Sequence, residues 1–190
     1  MNLKEAFAQR IATSLRRQSI TTPSRWAEQY RVMGGSFAGP WSFAHYPWLK
    51  EMHDSRAEMN IGQKGAQLGF TELCINLVGY KMDIEGVDCL YLLPNKVPDA
   101  TDFSAARFDV ALELSPHLQA MFSDTKNVGH KRAGKTNLYI RGSQAKAGLR
   151  SIPVAFIIID ERSIMNQENI AVALERTSGQ LSKQIWQIST

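Results

Sequence analysis

Apolar positions in this chain follow two rhythms, one helical and one strand-like. Leu3, Phe7, Ile11 and Leu15 recur at helical spacing. Thr22-Pro23-Ser24 marks a break and a new helix start, with a short helix over 26–33. Residues 34–47, rich in Gly, Pro and aromatics, read as a loop, and 47–57 as helical. A strand over 56–61 and a helix over 71–82 come next, then an apolar strand over 87–93 that stops at Pro94-Asn95. The stretch 99–122 is helical with a break at Pro116. Strands at 137–141 and 147–150 flank a turn at Gly142-Ser143, and six apolar residues run from 154 to 159. A helix over 166–177 precedes a last strand at 184–189. Strand alternating with helix predicts an α/β fold, a mostly parallel sheet covered on both faces.

The chain has 190 residues, enough for one domain with a substantial core, and no internal repeat. An apolar content of 44% against 21% charged residues excludes a disordered chain. The net charge of +4 is compatible with a nucleic-acid partner without indicating one. Basic residues gather at Arg10, Arg16 and Arg17, at Lys126, Lys131, Arg132 and Lys135, and at Arg141, Lys146 and Arg150, each cluster reading as a solvated face. Cys74 and Cys89 lack metal-ligand spacing and read as small buried hydrophobes in a reducing compartment. The four histidines are scattered. No run is long enough to span a membrane and no secretory leader is present, so a cytoplasmic protein is expected.

Two segments carry chemistry. Gln63-Lys64-Gly65-Ala66-Gln67-Leu68-Gly69-Phe70-Thr71-Glu72 has the form of a phosphate-binding loop whose lysine has moved. Phe70 fills the slot that lysine usually holds before the hydroxyl, and Lys64 stands at the front instead. Strand, Gly-containing turn and helix start would aim backbone N–H groups at an anion, within reach of a lysine at the entrance. The second segment is the apolar run that ends in Asp160-Glu161. Carboxylates at the C-terminal end of a buried strand lie where α/β sheets bind ligands. Asp160 would hold Mg²⁺, directly or through water, and Glu161 would orient and deprotonate an attacking water. The other reading of the pair is a cap on a helix over 161–174.

A third segment imitates the first. Gly129-His130-Lys131-Arg132-Ala133-Gly134-Lys135-Thr136 matches the ordinary phosphate-loop expression letter for letter. No apolar strand leads into it, and a strand rather than a helix follows it. It therefore reads as a basic loop before a strand.

Together the motifs resemble the ATPase domain of the large subunit of tailed-phage DNA-packaging terminases, most closely the lambda-type branch. That branch carries its lysine at the front of the loop and an aromatic near the usual lysine slot, the form of Lys64 to Thr71 here. The resemblance extends to Trp26-Ala27-Glu28, to Ser36-Phe37-Ala38-Gly39-Pro40-Trp41, to Leu149-Arg150 and to Ser189-Thr190. It implies a P-loop NTPase of the additional-strand, catalytic-glutamate type, with ATP and Mg²⁺ as cofactors. Gln63, Lys64, Gly65, Ala66, Gln67, Leu68, Gly69, Phe70 and Thr71 would cradle the nucleotide, Lys64 on the β- and γ-phosphates and Thr71 with Asp160 on the metal. Phe37 matches the adenine-stacking aromatic, or is an ordinary packing residue. Arg150 matches the arginine finger offered across a subunit boundary, or is a surface arginine. Ser189 and Thr190 match the motif that senses the γ-phosphate and relays the change to the DNA grip.

The resemblance further implies double-stranded DNA, a terminase small subunit and a portal protein as partners, in the host cytoplasm. A ring of copies would form on assembly, from isolated domains that are monomeric. The organisation expected is a helical extension over 1–22 and an ATPase domain over 23–190, without the family's C-terminal nuclease. With nothing after the last strand to cover it, the chain reads as a piece of something longer or as a degraded remnant. The residues by themselves reach only a P-loop ATPase with a catalytic glutamate. A helicase-like or repair ATPase, and a non-hydrolysing nucleotide-binding interaction domain, stay open beside the motor.

Overall fold

The computed structural model describes residues 4–5, 7, 20–124, 127–144, 146–149 and 152–190. Most of the helix expected over 2–18, and Arg150, lie outside the described residues.

A seven-stranded sheet organises the chain. Its strands are β3 (Met59–Gln63), β4 (Cys89–Leu93), β5 (Phe122–Asp124), β6 (His130–Ala133), β7 (Thr136–Gly142), β8 (Phe156–Asp160) and β9 (Gln184–Ser189), in the order β3-β9-β8-β4-β7-β6-β5. The pairings from β3 through to β7 are parallel, whereas β6 and β5 are added antiparallel at the far edge. A separate two-stranded ribbon joins β1 (Val32–Met33) to β2 (Gly39–Pro40). The last strand in sequence thus lies between the strand before the glycine loop and the strand that ends in the carboxylates.

Helices cover both faces. On one lie α1 (Pro23–Tyr30), α2 (Leu49–His53), α3 (Phe70–Tyr80), the helical stretch α4 over 101–114, and α5 (Pro116–Met121). On the other lies α6 (Gln167–Leu174). β4 and β8 are buried along their whole length, as strands covered on both faces must be. Alternation sends Tyr91, Phe156 and Ile158 to the α3 side and Leu90, Leu92, Ile157 and Ile159 to the α6 side.

Local chemistry sets the boundaries. Thr22 caps α1, with Pro23 in its first turn, where the missing N–H costs nothing. Pro116 opens α5 for the same reason, so the break at 116 is a restart. Asn166 caps α6 by accepting from the N–H groups of Glu168 and Asn169 at 2.8 and 3.4 Å.

Four expectations change. The first strand runs over Met59–Gln63 rather than 56–61, because its register is set by pairing with β9; as the edge strand it leaves Ile61 80% exposed. The short helix expected over 26–33 ends at Tyr30, and Val32–Met33 is a ribbon strand within that span, paired with Gly39–Pro40 within the expected loop. The expected strand at 147–150 is instead a 3₁₀ turn, Lys146–Leu149, whose Leu149 plugs the core under α6. Lys131 is not on a solvated face: it is fully buried and pairs with Asp109 at 2.7 Å.

Candidate active site

The glycine loop leaves β3 and curls into α3. Gln67 and Gly69 both take left-handed conformations, φ 60° and 79°. Such turns point successive N–H groups to one side and make an anion-binding concavity in front of the helix start. Phe70, the residue in the usual lysine slot, is a core side chain instead. It is 6% exposed, and a Cβ on Gly62 would meet its ring at 3.1 Å. An ammonium there would be buried without a partner, so the cation of the site must come from elsewhere.

The cation at the mouth of the loop is Lys64. Its Nζ lies 2.7 Å from Asp160 Oδ1 and 3.0 Å from Glu161 Oε1. Its backbone N–H donates to the Ser189 carbonyl at 2.8 Å, which ties the loop entrance to the end of β9. Burial disfavours the Lys64 ammonium, but the hydrogen bonds and charges of Asp160 and Glu161 outweigh it and raise its pKa. Burial likewise opposes the Glu161 carboxylate, yet Lys64 and then Thr190 win and hold its pKa below the usual value.

Asp160 is the last residue of β8, and its side chain is 8% exposed. Its second oxygen, Oδ2, accepts from the Tyr91 hydroxyl at 2.8 Å. Glu161 leaves the strand with φ 61°. A non-glycine residue keeps that backbone state only where its surroundings enforce it. Here Lys64 holds one carboxylate oxygen, and Thr190 Oγ1 donates to the other at 3.1 Å. Ser189 Oγ accepts from the Ser163 N–H at 3.2 Å and lies 2.7 Å from Ser163 Oγ. The helix-cap reading of the pair does not hold: Glu161 caps nothing with its side chain, and α6 begins at Gln167 under Asn166.

The fold therefore gathers Lys64, Asp160, Glu161, Ser189 and Thr190. Thr71 is the second residue of α3, and among the described residues its hydroxyl has no hydrogen-bond partner. Phe37 stands apart, 40% exposed and stacked on His45 with ring centroids 4.4 Å apart. Its edge meets Tyr46, whose ring lies against Gly69. Trp48 Nε1 donates to the Leu68 carbonyl at 3.2 Å. The aromatic segment thus braces the glycine loop from outside, a role for Tyr46 and Trp48 that no spacing rule reveals. The imitation motif is a hairpin: β6, a turn at Gly134-Lys135, and β7. It opens no helix and offers no phosphate cradle.

Further supports went unseen in the sequence. Arg31, 2% exposed, forms a short ion pair with Glu72, the residue after Thr71. Its Nε donates to Asn76 Oδ1 at 2.7 Å, and it reaches the Ala111 carbonyl and Ser115 Oγ between α4 and α5. Burial lowers the pKa of this guanidinium and Glu72 partly restores it. Tyr91 was visible only as a lone polar tip inside an otherwise apolar strand.

A left-handed glycine loop between a strand and a helix, a displaced lysine, and two carboxylates beyond an intervening strand define a P-loop NTPase fold of the additional-strand type. The chain matches the family described as phage terminase large subunit gpA, ATPase domain, over residues 35–190, and it belongs to that family. No curated protein matches it significantly by sequence. Among solved structures, the large terminase of bacteriophage HK97 superposes with a TM-score of 0.73 at 13% identity, over 89% of this chain and 37% of that one. The large terminase ATPase domain of Thermus phage P74-26 gives a TM-score of 0.57 at 14% identity, over 78% of this chain and 67% of that one. The ADP complex of a large terminase from another thermophilic bacteriophage gives 0.54 at 14%, over 77% and 37%. These likenesses concern the fold, and the chain spans little more than a third of the HK97 protein. Among the described residues no helix is long and apolar enough to cross a membrane.

Proposed function

We propose that this chain is the ATP-hydrolysing part of a viral DNA-packaging motor. One observation carries the reading: a lysine at the mouth of the glycine loop bridges both carboxylates at the end of β8. Family membership supports it over a helicase-like or repair ATPase and over a non-hydrolysing interaction domain.

In this reading the N–H groups of 65–71 receive the phosphates, and Lys64 swings from the carboxylates onto the β- and γ-phosphate oxygens. The donor set suits Mg²⁺, since Asp160 Oδ1 already holds a cationic group and the Thr71 hydroxyl, in the first turn of α3, is a second hard oxygen donor. When bound, the metal neutralises charge that builds on the phosphates. Release of Lys64 frees Glu161 to orient water and take its proton. Thr190, on the same carboxylate, would feel that change and pass it along β9, with Ser189 fixing the turn after β8. Phe37 would pack against the adenine, and Arg150, outside the described residues, would complete a neighbour's site. Double-stranded DNA, a small subunit and a portal would be the partners of a ring that works in the host cytoplasm.

The test is steady-state phosphate release with and without double-stranded DNA. Mg²⁺-dependent hydrolysis that DNA stimulates is expected. Nucleotide binding that never leads to hydrolysis, with or without DNA, would overturn the motor reading.

A further inference from the structure

Tyr91 lies in the middle of β4 with no exposed surface. An aliphatic residue would suit a strand buried on both faces, and a tyrosine brings a hydroxyl that must be satisfied there. That hydroxyl donates to Asp160 Oδ2 at 2.8 Å. The register makes the contact: Tyr91 pairs with Ile158 on β8, so Asp160, two residues further on, projects from the same face. The ring is pinned by stacking on Phe103, with centroids 4.1 Å apart and planes at 27°.

The two oxygens of Asp160 are therefore divided. Oδ2 is held by a fixed donor in the core, and Oδ1 faces the site, where Lys64 Nζ now sits at 2.7 Å. We infer that Tyr91 is the positioning residue of the cation site: it fixes the Asp160 carboxylate by one oxygen and presents the other to the metal that accompanies the nucleotide. This rests on the reading of Asp160 as a Mg²⁺ residue. The terminal torsion of an aspartate is broad and roughly two-fold, so without an anchor the carboxylate turns between orientations. When Lys64 leaves for the phosphates, the Tyr91 hydroxyl stays on Oδ2. Groups that orient a metal's carboxylate in this way are typically worth about 10–100-fold in metal affinity.

The experiment titrates Mn²⁺, standing in for Mg²⁺, against the whole chain with saturating ADP and reads bound metal by electron paramagnetic resonance. Wild type, Tyr91→Phe and Asp160→Asn are compared. Phenylalanine keeps the ring and its stacking and removes only the donor. Tyr91→Phe should bind Mn²⁺ about tenfold or more weakly, with unchanged ADP affinity in the absence of metal. In turnover, the metal concentration giving half-maximal rate should rise while kcat recovers at high metal, which a purely structural defect would not produce. Tyr91→Met, a smaller and adaptable apolar side chain without a donor, repeats the test should the phenylalanine variant not fold. Wild-type Mn²⁺ affinity in the Tyr91 variant, with affinity lost in Asp160→Asn, would overturn the role of Tyr91 alone. Wild-type affinity in Asp160→Asn would instead overturn the assignment of Asp160 on which it rests.

Discussion

Replacing Lys64 with alanine removes the cation that two carboxylates share. The Asp160 side chain is 8% exposed and that of Glu161 32%, and this difference sets the magnitude. The contact with Asp160 is almost dry, so deleting its partner leaves an uncompensated buried charge, which typically costs about 3–5 kcal/mol. Glu161 can turn toward water and adds little. Because Lys64 is itself 12% exposed at a loop entrance that can relax, the lower end, about 3 kcal/mol, is expected at neutral pH. In the wild type, the folded state holds the Glu161 pKa below its unfolded value. The stability from that carboxylate is present above the unfolded pKa and is lost as pH falls through the folded one. In Lys64→Ala the part of that contribution that Lys64 supplies is absent, so the gap to wild type narrows on acidification. Urea unfolding at pH 7.5 and pH 5, run beside phosphate release, measures both effects. Hydrolysis should fall to background. Lys135→Ala, in the exposed turn of the hairpin, should change stability by less than about 0.5 kcal/mol and leave nucleotide affinity intact. Wild-type turnover by Lys64→Ala, or loss of nucleotide by Lys135→Ala, would refute the assignment of the phosphate lysine.

Glu161→Gln keeps an oxygen for Thr190 but removes the base, so nucleotide should bind while turnover falls by about 10²-fold or more; an unchanged rate in a single-turnover assay removes Glu161 from the chemistry. Arg150→Ala mixed with Lys64→Ala should recover hydrolysis that neither shows alone, since the second protein offers its finger to the intact loop of the first; a dilute Arg150→Ala chain that turns over like wild type makes that arginine a surface residue. His53 is buried between the Leu49 carbonyl, 2.7 Å from Nδ1, and Asn76, 3.1 Å from Nε2, and burial lowers its pKa to about 4. A depressed histidine contributes stability that is full above its unfolded value of 6.5 and is lost as pH falls toward about 4, by at most about 3 kcal/mol. His53→Gln should flatten that part of the stability-against-pH curve measured by urea unfolding, and an unaltered curve would show that His53 does not titrate in this way.

What the sequence determined by itself was whatever depends on near neighbours. The apolar runs that became β4 and β8 were legible because strands covered on both faces have no polar side to interrupt them. The glycine loop and the Asp160-Glu161 pair were legible because each is a short segment whose chemistry is carried by its own residues. The false loop at 129–136 was excluded by the strand that follows it, which is local information too. The boundary of β3 was not legible, since Ile61 is exposed on an edge and only pairing with β9 sets the register. The placement of β9 between β3 and β8 is a long-range choice among parallel pairings, and it is what brings Ser189 and Thr190 to Lys64 and Glu161. The burial of Lys131, the Arg31–Glu72 pair and the Tyr91 anchor on Asp160 join residues far apart in the chain. Each satisfies a polar group that the packed interior has cut off from water, and which groups the interior cuts off is decided only when the sheet and its covering helices come together.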